Sequence, residues 1–301
     1  MEKLLRLAEK SAEQAEIFSY ERDTGECSVR NFELREMASA TRNGFALRII
    51  KGGRMGTAYT TNLTDREDLV MNALSSLKGQ VAADYSFPEP GKIAKISQYD
   101  KRVESMTFSD LYDNNEAAYS YFEGKLKGQV DCYTGFSRIK KRVMNSSGVD
   151  FSYQESTYFI APQLLYPNTE TSVTNIFVFN GPKRLPQKAL DDQLAIYLAS
   201  LPIADIESGK KKVIFWPSSM YSLMWRFTTA ASGRNFYEKT SPLVEKVGQK
   251  LLSESVTIYN DPLDTVHTGA CPFDDEGIPA RRLDLFDRGT FNGCYVNLDC
   301  S

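Results

Sequence analysis

The stretch SGRNFYEKTSPLVEKVGQKLLSESVTIYNDP spans residues 232–262, and PFDDEGIPARR follows at residues 272–282. Both segments are rich in turn-forming residues, hydroxyl side chains and paired charges. Neither repeats its apolar residues with the period of a helix or of a strand. This composition is typical of loops that are positioned by a separate scaffold. We therefore expect the rest of the chain to supply that scaffold.

The N-terminal part of the scaffold is predicted to be a helix, a strand meander and a second helix. A strand-rich block covers Glu16–Tyr59, with hairpin turns at Asn43-Gly44, where both residues tolerate the positive φ of a type I′ turn, and at Lys51-Gly52-Gly53. A capping box, Thr64-x-x-Glu67, begins the second helix. The core-facing residues of the two helices are Leu4, Leu5, Ala8, Ala12 and Ala15 in the first, and Leu69, Val70, Ala73, Leu74 and Leu77 in the second.

The middle of the chain continues the alternation of helices and strands. Residues 85–92 (YSFPEPGK) hold two prolines and a glycine, which is typical of a linker or an extended crossing. The periodicity then predicts a helix over Thr107–Leu126 and strands over Val130–Phe179, with a break at residues 145–148. A further helix, closed by Pro202, is predicted to carry the apolar residues Leu190, Leu194, Tyr197, Leu198 and Leu201. Val213–Trp216 is predicted to be a short buried strand, and Pro217 to begin a helix with Met220, Leu223, Met224 and Phe227 in the core.

These elements predict an α+β protein, in which an N-terminal α/β unit with antiparallel strands and flanking helices precedes a mixed, strand-rich C-terminal domain. A chain of 301 residues is long for one core, so two domains are expected. We predict an N-terminal domain over residues 1–205, with an internal break near 85–104, and a C-terminal domain over residues 206–301.

Composition excludes several classes of protein. A net charge of −3 argues against a dedicated nucleic-acid binder, which usually carries a broad basic excess. The N-terminus mixes charged and apolar residues, so neither a secretory signal nor a membrane span is predicted. The five cysteines are scattered and odd in number, which favours free thiols and a cytoplasmic location.

Catalytic and metal-binding candidates are few. His267 is the one histidine, and its possible zinc co-ligands are Cys271, Asp261, Asp264 and Asp274. Catalytic zinc usually takes three protein ligands in which His dominates, and prolines at 262 and 272 prevent a helix from aligning His267 with Cys271. A Ser-His-Asp or Cys-His arrangement would also depend on His267, and no local nucleophile signature accompanies it. No catalytic or metal-ligating residue is therefore predicted.

Two charged clusters each have two interpretations. Asp274-Asp275-Glu276-Gly277 is either a cation or acid–base site, or a tight turn closed by Gly277 and Pro279. We expect the turn, with carboxylates that accept backbone N–H groups or pair with Arg281 or Arg282. The basic run Arg138–Arg142 is either a nucleic-acid or acidic-peptide contact or, as we expect, a solvated edge strand protected by its charges.

Several blocks together resemble one protein family. They are Asn43–Arg48 with Lys51–Gly56, Asn145–Gly148, Thr240–Leu243, Val247–Gln249 and Phe273–Gly277. In this order they resemble the TldD/PmbA family, a zinc-peptidase system also called "modulator of DNA gyrase", and within it the PmbA (TldE) branch. In the TldD branch, a helix carries the motif H-E-x-x-x-H. The corresponding residues here, Met224–Thr229, read MWRFTT and hold no ligand or base.

The resemblance implies a non-catalytic, PmbA/TldE-like subunit of a cytoplasmic metallopeptidase that acts in proteolysis of small or unfolded peptides. Zinc is then expected in a TldD-type partner subunit rather than in this chain, and the chain alone could form a homodimer. Family members continue past the position of Ser301, which implies a C-terminal domain that is incomplete in this sequence. The residues expected to contact substrate or partner are Thr240, Ser241, Asp274, Asp275, Glu276 and Gly277.

Two other functions remain open from the sequence. One is a binding protein that modulates DNA gyrase or contacts nucleic acid, for which the basic run at 138–142 is the support. The other is a stand-alone hydrolase built on His267, which predicts that His267→Ala abolishes activity.

Overall fold

The computed structural model describes residues 1–203 and 205–300, and it has the predicted mixed α+β fold. The helices are α1 (Glu2–Glu9), α2 (Arg66–Ser76), α3 (Phe108–Phe122), α4 (Gln187–Ala199), α5 (Tyr221–Ala230) and α6 (Gly233–Tyr237). The strands are β1 (Gln14–Arg30), β2 (Glu33–Lys51), β3 (Arg54–Thr60), β4 (Val130–Asn145), β5 (Asp150–Leu165), β6 (Ser172–Thr174), β7 (Phe177–Phe179), β8 (Ile258–Asn260), β9 (Leu283–Asp287) and β10 (Thr290–Phe291).

The large sheet is antiparallel, with the strand order β3-β2-β1-β4-β5-β6 and β7 beside β5. Its four long strands run side by side, so that β1 pairs with β4 from Glu16 opposite Asn145 to Arg30 opposite Asp131. Side chains alternate between the two faces of such a sheet. We call the face with Ile17 and Leu47 the front face, and the face with Glu16 and Arg48 the back face.

Four helices cover the two ends of the front face. At one end, α1 and α2 bury Leu4, Leu69 and Val70 against Ile17 and Leu47. At the other end, α3 and α4 cover a second apolar area, whose buried residues include Leu111, Phe122, Cys132, Tyr158 and Tyr197. Removing large apolar side chains from water at about 25 cal/mol per Å² is the main favourable contribution to this packing. The middle of the front face stays polar and uncovered.

Loops rather than helices cover part of the back face. Residues 85–92 cross it as extended chain, as predicted, and Phe87 is buried there. Phe273 packs against Val143 and Tyr153 of the large sheet and against Val149 of the β4–β5 turn. The second sheet, β10-β9-β8, has its own core of Ile258, Phe286 and Phe291, on which α5 and α6 pack.

The predicted turn at Asn43-Gly44 is wrong. These residues lie within β2, opposite Glu21 and Tyr20, and the β1–β2 turn is at Asn31-Phe32, with φ angles of 47° and 66°. Tertiary contacts hold that turn, because the Asn31 side chain accepts the Val130 N–H at 3.2 Å and the Phe32 ring lies 3.9 Å from that of Tyr119. The second predicted turn is confirmed, since Gly52 and Gly53 both have positive φ.

Smaller corrections concern the ends of elements. Helix α1 ends at Glu9, so Ala12 lies beyond it and Ala15 is buried as a β1 residue. Asp65, not Thr64, caps α2, because its side chain accepts the Asp68 N–H at 3.0 Å. The predicted start of α3 at Thr107 is confirmed, since Thr107 and Asp110 form a capping box, but the helix ends at Phe122 and not at Leu126.

The predicted buried strand at Val213–Trp216 is also wrong. This segment has no regular structure, and Ile214 is 90% exposed. Met224 and Phe227 of the next helix do pack on the second core, whereas Met220 is exposed. Short apolar runs are ambiguous because their periodicity cannot show whether a neighbouring element covers them.

Among residues 1–203 and 205–300, no helix has the length and apolar character needed to cross a membrane. The domain boundary near residue 205 and the cytoplasmic location stay predictions.

Candidate functional site

The acidic cluster forms a closed turn, as expected. One oxygen of Asp274 accepts the N–H groups of Glu276 and Ile278, each at 2.9 Å, and the Gly277 N–H bonds to the Asp274 carbonyl oxygen at 3.0 Å. Gly277 has a φ of 77°, a conformation that glycine adopts without steric cost. The Asp274 side chain therefore acts as a local organiser of the turn.

This turn is fixed to the back face of the large sheet. Glu276 accepts a bond from Arg48 at 3.2 Å, and its other oxygen accepts the Leu298 N–H at 3.0 Å. Asp275 lies 3.5 Å from the Lys141 Nζ. The predicted partner Arg282 pairs instead with Asp284. The prediction of an ordered turn is confirmed by the backbone N–H groups that Asp274 accepts. Pairing with Arg282, the other arrangement that the sequence left open, is not the one observed.

Arg48 connects the turn to a buried glutamate. Its Nε and Nη2 donate to Glu16 Oε1 at 2.9 and 2.6 Å, and Glu16 is only 1% exposed. Burial raises the pKa of the Glu16 carboxyl to about 7, although the positive charge of Arg48 opposes this rise. The guanidinium also lies 5.4 Å from the centre of the Phe87 ring. We call Glu16, Arg48 and Glu276 the carboxylate clamp.

Asp274→Ala is expected to lower the free energy of unfolding by about 1–2 kcal/mol, because two backbone N–H groups lose their acceptor. Asp275→Ala is the matched control, since Asp275 is exposed and makes one ion pair at 3.5 Å, which contributes about 0–1 kcal/mol. Urea unfolding of both variants measures the difference. Equal losses would contradict an ordering role that is specific to Asp274.

Thr240 and Ser241 lie in a different place. The buried Ser241 hydroxyl donates to the Ala230 carbonyl oxygen at 2.5 Å and accepts the Leu243 N–H at 3.0 Å, so it closes the C-terminal end of α5. Thr240 is exposed, and its hydroxyl donates to the backbone and side-chain oxygens of Asn235, each at 3.4 Å. Both hydroxyls bond within residues 230–243, while the acidic turn bonds to the large sheet. The six candidate residues therefore form two groups rather than one.

Helix α5 is the element on which the zinc motif of the TldD branch would fall. Met224 and Phe227 point into the core of the second sheet, and the Phe227 ring lies edge-on to Phe286 at 5.7 Å. The Thr228 hydroxyl donates to the Trp225 carbonyl oxygen at 2.9 Å. The helix is present, but the side chains of Met224, Phe227 and Thr228 pack in the core or form hydrogen bonds within the helix. None of residues 224–229 carries an imidazole or a carboxylate that could bind zinc.

His267 and Cys271 do not fit a zinc site. The His267 side chain is 81% exposed, with Nδ1 3.1 Å from an Asp264 oxygen. The Cys271 thiol donates to the Phe273 carbonyl oxygen at 2.8 Å, and burial raises its pKa, which disfavours the thiolate that zinc binds. In the part of the chain that the structure describes, no group of three or more His, Cys, Asp or Glu side chains is arranged to hold a metal ion.

A polar groove of about 610 Å³ lies on the front face, between the two helical layers. Its floor comes from alternate residues of three strands, since Ser19 and Glu21 of β1 face Arg142 and Lys140 of β4, which face Ser152 and Gln154 of β5. Tyr99, Asn43 and Phe45 add to its sides. We call it the front-face groove. Sequence reasoning missed it because these residues become neighbours only once the strand register is known.

The basic run at 138–142 is neither at an edge nor unpaired. It lies on β4, between β1 and β5, so the predicted edge strand is wrong. Acidic residues pair with its charges: Arg138 with Asp23, Lys140 with Glu21, Lys141 with Asp275, and Arg142 with both Glu2 and Asp150. A run neutralised in this way offers little positive potential to a phosphate backbone.

Two family models match the chain. A model described as the PmbA/TldA metallopeptidase domain 1 matches residues 15–77, and one described as the PmbA/TldA metallopeptidase C-terminal domain matches residues 208–301. Together the matches span just over half of the chain. The first contains β1 to β3 and α2, and the second contains α5 and the acidic turn.

Similar proteins support the same assignment. An uncharacterized protein of Methanocaldococcus jannaschii is 28% identical over 314 residues, which covers 99% of this chain and 70% of the relative. The fold is shared with TldE from Thermococcus kodakarensis, with a TM-score of 0.80 at 21% identity over 99% of this chain and 70% of that chain. A candidate modulator of a DNA gyrase from Thermotoga maritima has a TM-score of 0.82 at 26% identity, again over 99% and 70%.

Proposed function

Because this chain belongs to the PmbA/TldD family of metallopeptidases, we propose that it is the PmbA/TldE-like, non-catalytic subunit of a two-subunit zinc peptidase. A TldD-type partner supplies the zinc and hydrolyses small or unfolded peptides, and this chain helps to shape the chamber that holds them. The complex works in the cytoplasm.

The side chains of α5 are the observation that carries this proposal. A catalytic zinc site needs about three protein ligands, an open position for water and a nearby general base. Residues 224–229 provide two core-packing side chains, an exposed Trp225 and hydroxyls, and neither His267 nor Cys271 is placed to substitute. The family's fold without such a set of residues at this position supports a non-catalytic role for the chain.

The front-face groove and the sheet edges support a role in holding extended peptides. An extended peptide can add to a sheet edge through main-chain hydrogen bonds, which do not depend on its sequence. The floor of the groove alternates Lys140 and Arg142 with Glu21, so charges of both signs are present. Such a surface tolerates peptides of varied composition better than a surface of one charge would.

The test compares the purified chain, a TldD-type partner and their mixture in zinc analysis and in cleavage of an unfolded fluorogenic peptide. We expect no zinc-dependent cleavage by this chain alone and robust cleavage by the mixture. A mixture with a partner whose motif glutamate is replaced by Gln is the control, and it should be inactive. Robust zinc-dependent cleavage by the isolated chain would overturn the proposal. His267→Ala should leave the activity of the mixture within about twofold, since this exposed imidazole serves no reacting atom.

A further inference from the structure

The front-face groove continues into a second cavity of about 380 Å³. Both cavities are lined by Glu21, Tyr99, Lys140 and Gln154. Together they cross the sheet from β2, over β1 and β4, to the chain at Tyr99 beside β5. Neighbouring strands lie about 4.8 Å apart, so the distance from β2 to β5 is about 14 Å, the length of about four extended residues. The floor of the groove is therefore long enough for a short peptide.

Two long ion pairs lie side by side on this floor. Lys140 of β4 faces Glu21 of β1, with Nζ 3.8 Å from a carboxylate oxygen, and Arg138 faces Asp23 with Nη2 also 3.8 Å from an oxygen. In the part of the chain that the structure describes, neither cation donates a hydrogen bond to a carboxylate. Each pair is close enough for electrostatic attraction but too long for a charge-assisted hydrogen bond, so both cations keep donors for another acceptor.

The surroundings of the two cations show the same shortage of acceptors. The Lys140 side chain is 54% exposed. Arg138 Nη1 reaches only the Glu104 carbonyl oxygen, at 3.4 Å, and its buried Nε has no hydrogen-bond partner within residues 1–203 and 205–300. Arg142 on the same strand differs, because it bonds to two carboxylates at 2.8 Å. Lys140 and Arg138 are two positions apart on one face, about 7 Å along the strand, so their long side chains can converge on one carboxylate.

We propose that Lys140 and Arg138 bind the free C-terminal carboxylate of a short peptide, which extends along the groove over β1 toward Asn43 of β2. This inference rests on the proposed function for the source of the ligand, since hydrolysis of a peptide bond leaves a new terminal carboxylate. Glu21 and Asp23 compete with the ligand for the two cations and keep the groove close to neutral. Such a groove favours a single carboxylate over a polyanion such as nucleic acid, whose binding depends on a broad positive charge.

The test is fluorescence anisotropy of the full chain with tetra-alanine that carries a neutral label at its N-terminus and a free C-terminus. The same peptide with a C-terminal amide should bind about tenfold more weakly, because the charged acceptor is lost. Lys140→Gln and Arg138→Gln should each raise the Kd of the free-acid peptide about tenfold and change that of the amide by about threefold or less. Lys188→Gln is the matched control, because it removes the same charge from an exposed ion pair on α4. Circular dichroism checks that each variant is folded.

Glu21→Gln should change the affinity in the opposite direction, which a purely structural role would not do. It removes the acid that competes for Lys140, so the free-acid peptide should bind about two- to fivefold more tightly. Equal affinities of the acid and amide peptides would overturn the proposal, and this comparison needs no variant. Displacement of the peptide by acetate as effectively as by unlabelled tetra-alanine would also overturn it, because the site would then bind anions in general.

The binding measurement needs neither a TldD-type partner nor zinc, so it separates this inference from the proposed function. If the mixture of subunits cleaves peptides but the isolated chain does not bind the free-acid peptide, the carboxylate site is wrong and the proposed function stands. If the chain binds the peptide as expected but the mixture does not cleave, the carboxylate site stands and the proposed function is wrong.

Discussion

Arg48→Ala is expected to lower the free energy of unfolding by about 3–5 kcal/mol at pH 8. The reason is that Arg48 is the cation facing two carboxylates at once, the buried Glu16 and the Glu276 of the acidic turn. Removing one member of a buried ion pair leaves an uncompensated charge in a low-dielectric environment. Urea unfolding followed by circular dichroism measures the loss.

The same substitution is expected to release the acidic turn from the large sheet. Without Arg48, Glu276 keeps one bond, to the Leu298 N–H, and the turn keeps the ion pair between Asp275 and Lys141. Hydrogen exchange of residues 273–279 should therefore accelerate more than that of the second sheet. Arg234→Ala is the matched control, because Arg234 forms an exposed pair with Glu238 and should cost about 0.5 kcal/mol or less. Equal losses for Arg48 and Arg234 would refute the carboxylate clamp.

The clamp also predicts a pH dependence of stability. Burial raises the pKa of Glu16 from its ordinary value of 4.5 to about 7, so between these values the folded state binds a proton that the unfolded state releases. The free energy of unfolding therefore contains a contribution that is fully present below about pH 4.5 and is lost as the pH rises through about 7. Glu16→Gln should remove this slope. In Arg48→Ala the sloping range should extend to higher pH, because ionising Glu16 without its guanidinium is harder and the pKa of Glu16 in the folded state rises further. A wild-type slope that Glu16→Gln leaves unchanged would contradict this assignment.

Local patterns predicted the fold class and most of the elements, because period and capping act over a few residues. The helix over residues 108–122 and the Gly52-Gly53 turn follow from such signals. The β1–β2 turn does not follow from local signals, because Asn31-Phe32 favours a hairpin turn less strongly than Asn43-Gly44 does. The position of this turn is set by the hydrogen bond between Asn31 and Val130 of β4 and by the contact between the Phe32 and Tyr119 rings. Both partners are distant from the turn in the sequence. Tertiary contacts of this kind override turn propensity.

The candidate site shows the same division between local and long-range information. The turn at Asp274–Gly277 was predictable, since Asp and Gly at this spacing favour a closed turn. The cation that binds Glu276 was not predictable, because Arg48 lies 228 positions away from it in the sequence and the neighbouring Arg282 forms an ion pair with Asp284. The front-face groove was equally hidden, since its floor alternates between β1, β4 and β5. The absence of the zinc motif, in contrast, was readable directly from residues 224–229.

The glycine-rich block at residues 51–56 has a structural explanation that leads to the second large effect. Gly52 and Gly53 form the β2–β3 turn, whereas Gly56 lets α2 approach the sheet. A Cβ at position 56 would lie 2.2 Å from the Ala73 carbonyl oxygen of α2 and 3.1 Å from side-chain carbons of Ile49 and Leu77. This contact with backbone cannot be relieved by a rotamer change, so α2 would have to move away from the sheet.

Gly56→Ala is therefore expected to lower the free energy of unfolding by about 3 kcal/mol, the upper part of the range for overpacked cores. Moving α2 also loosens the packing of Leu69 and Val70 over Leu47, so the loss exceeds that of one strained contact. Gly79→Ala is the matched control, because a Cβ there meets no atom within 4 Å and the substitution should change stability by about 0.5 kcal/mol or less. Thermal and urea unfolding of both variants measure the difference. If Gly56→Ala unfolds with the same midpoint as Gly79→Ala, the close approach of α2 does not set the stability of this end of the sheet, and a different role for the glycine block would have to be found.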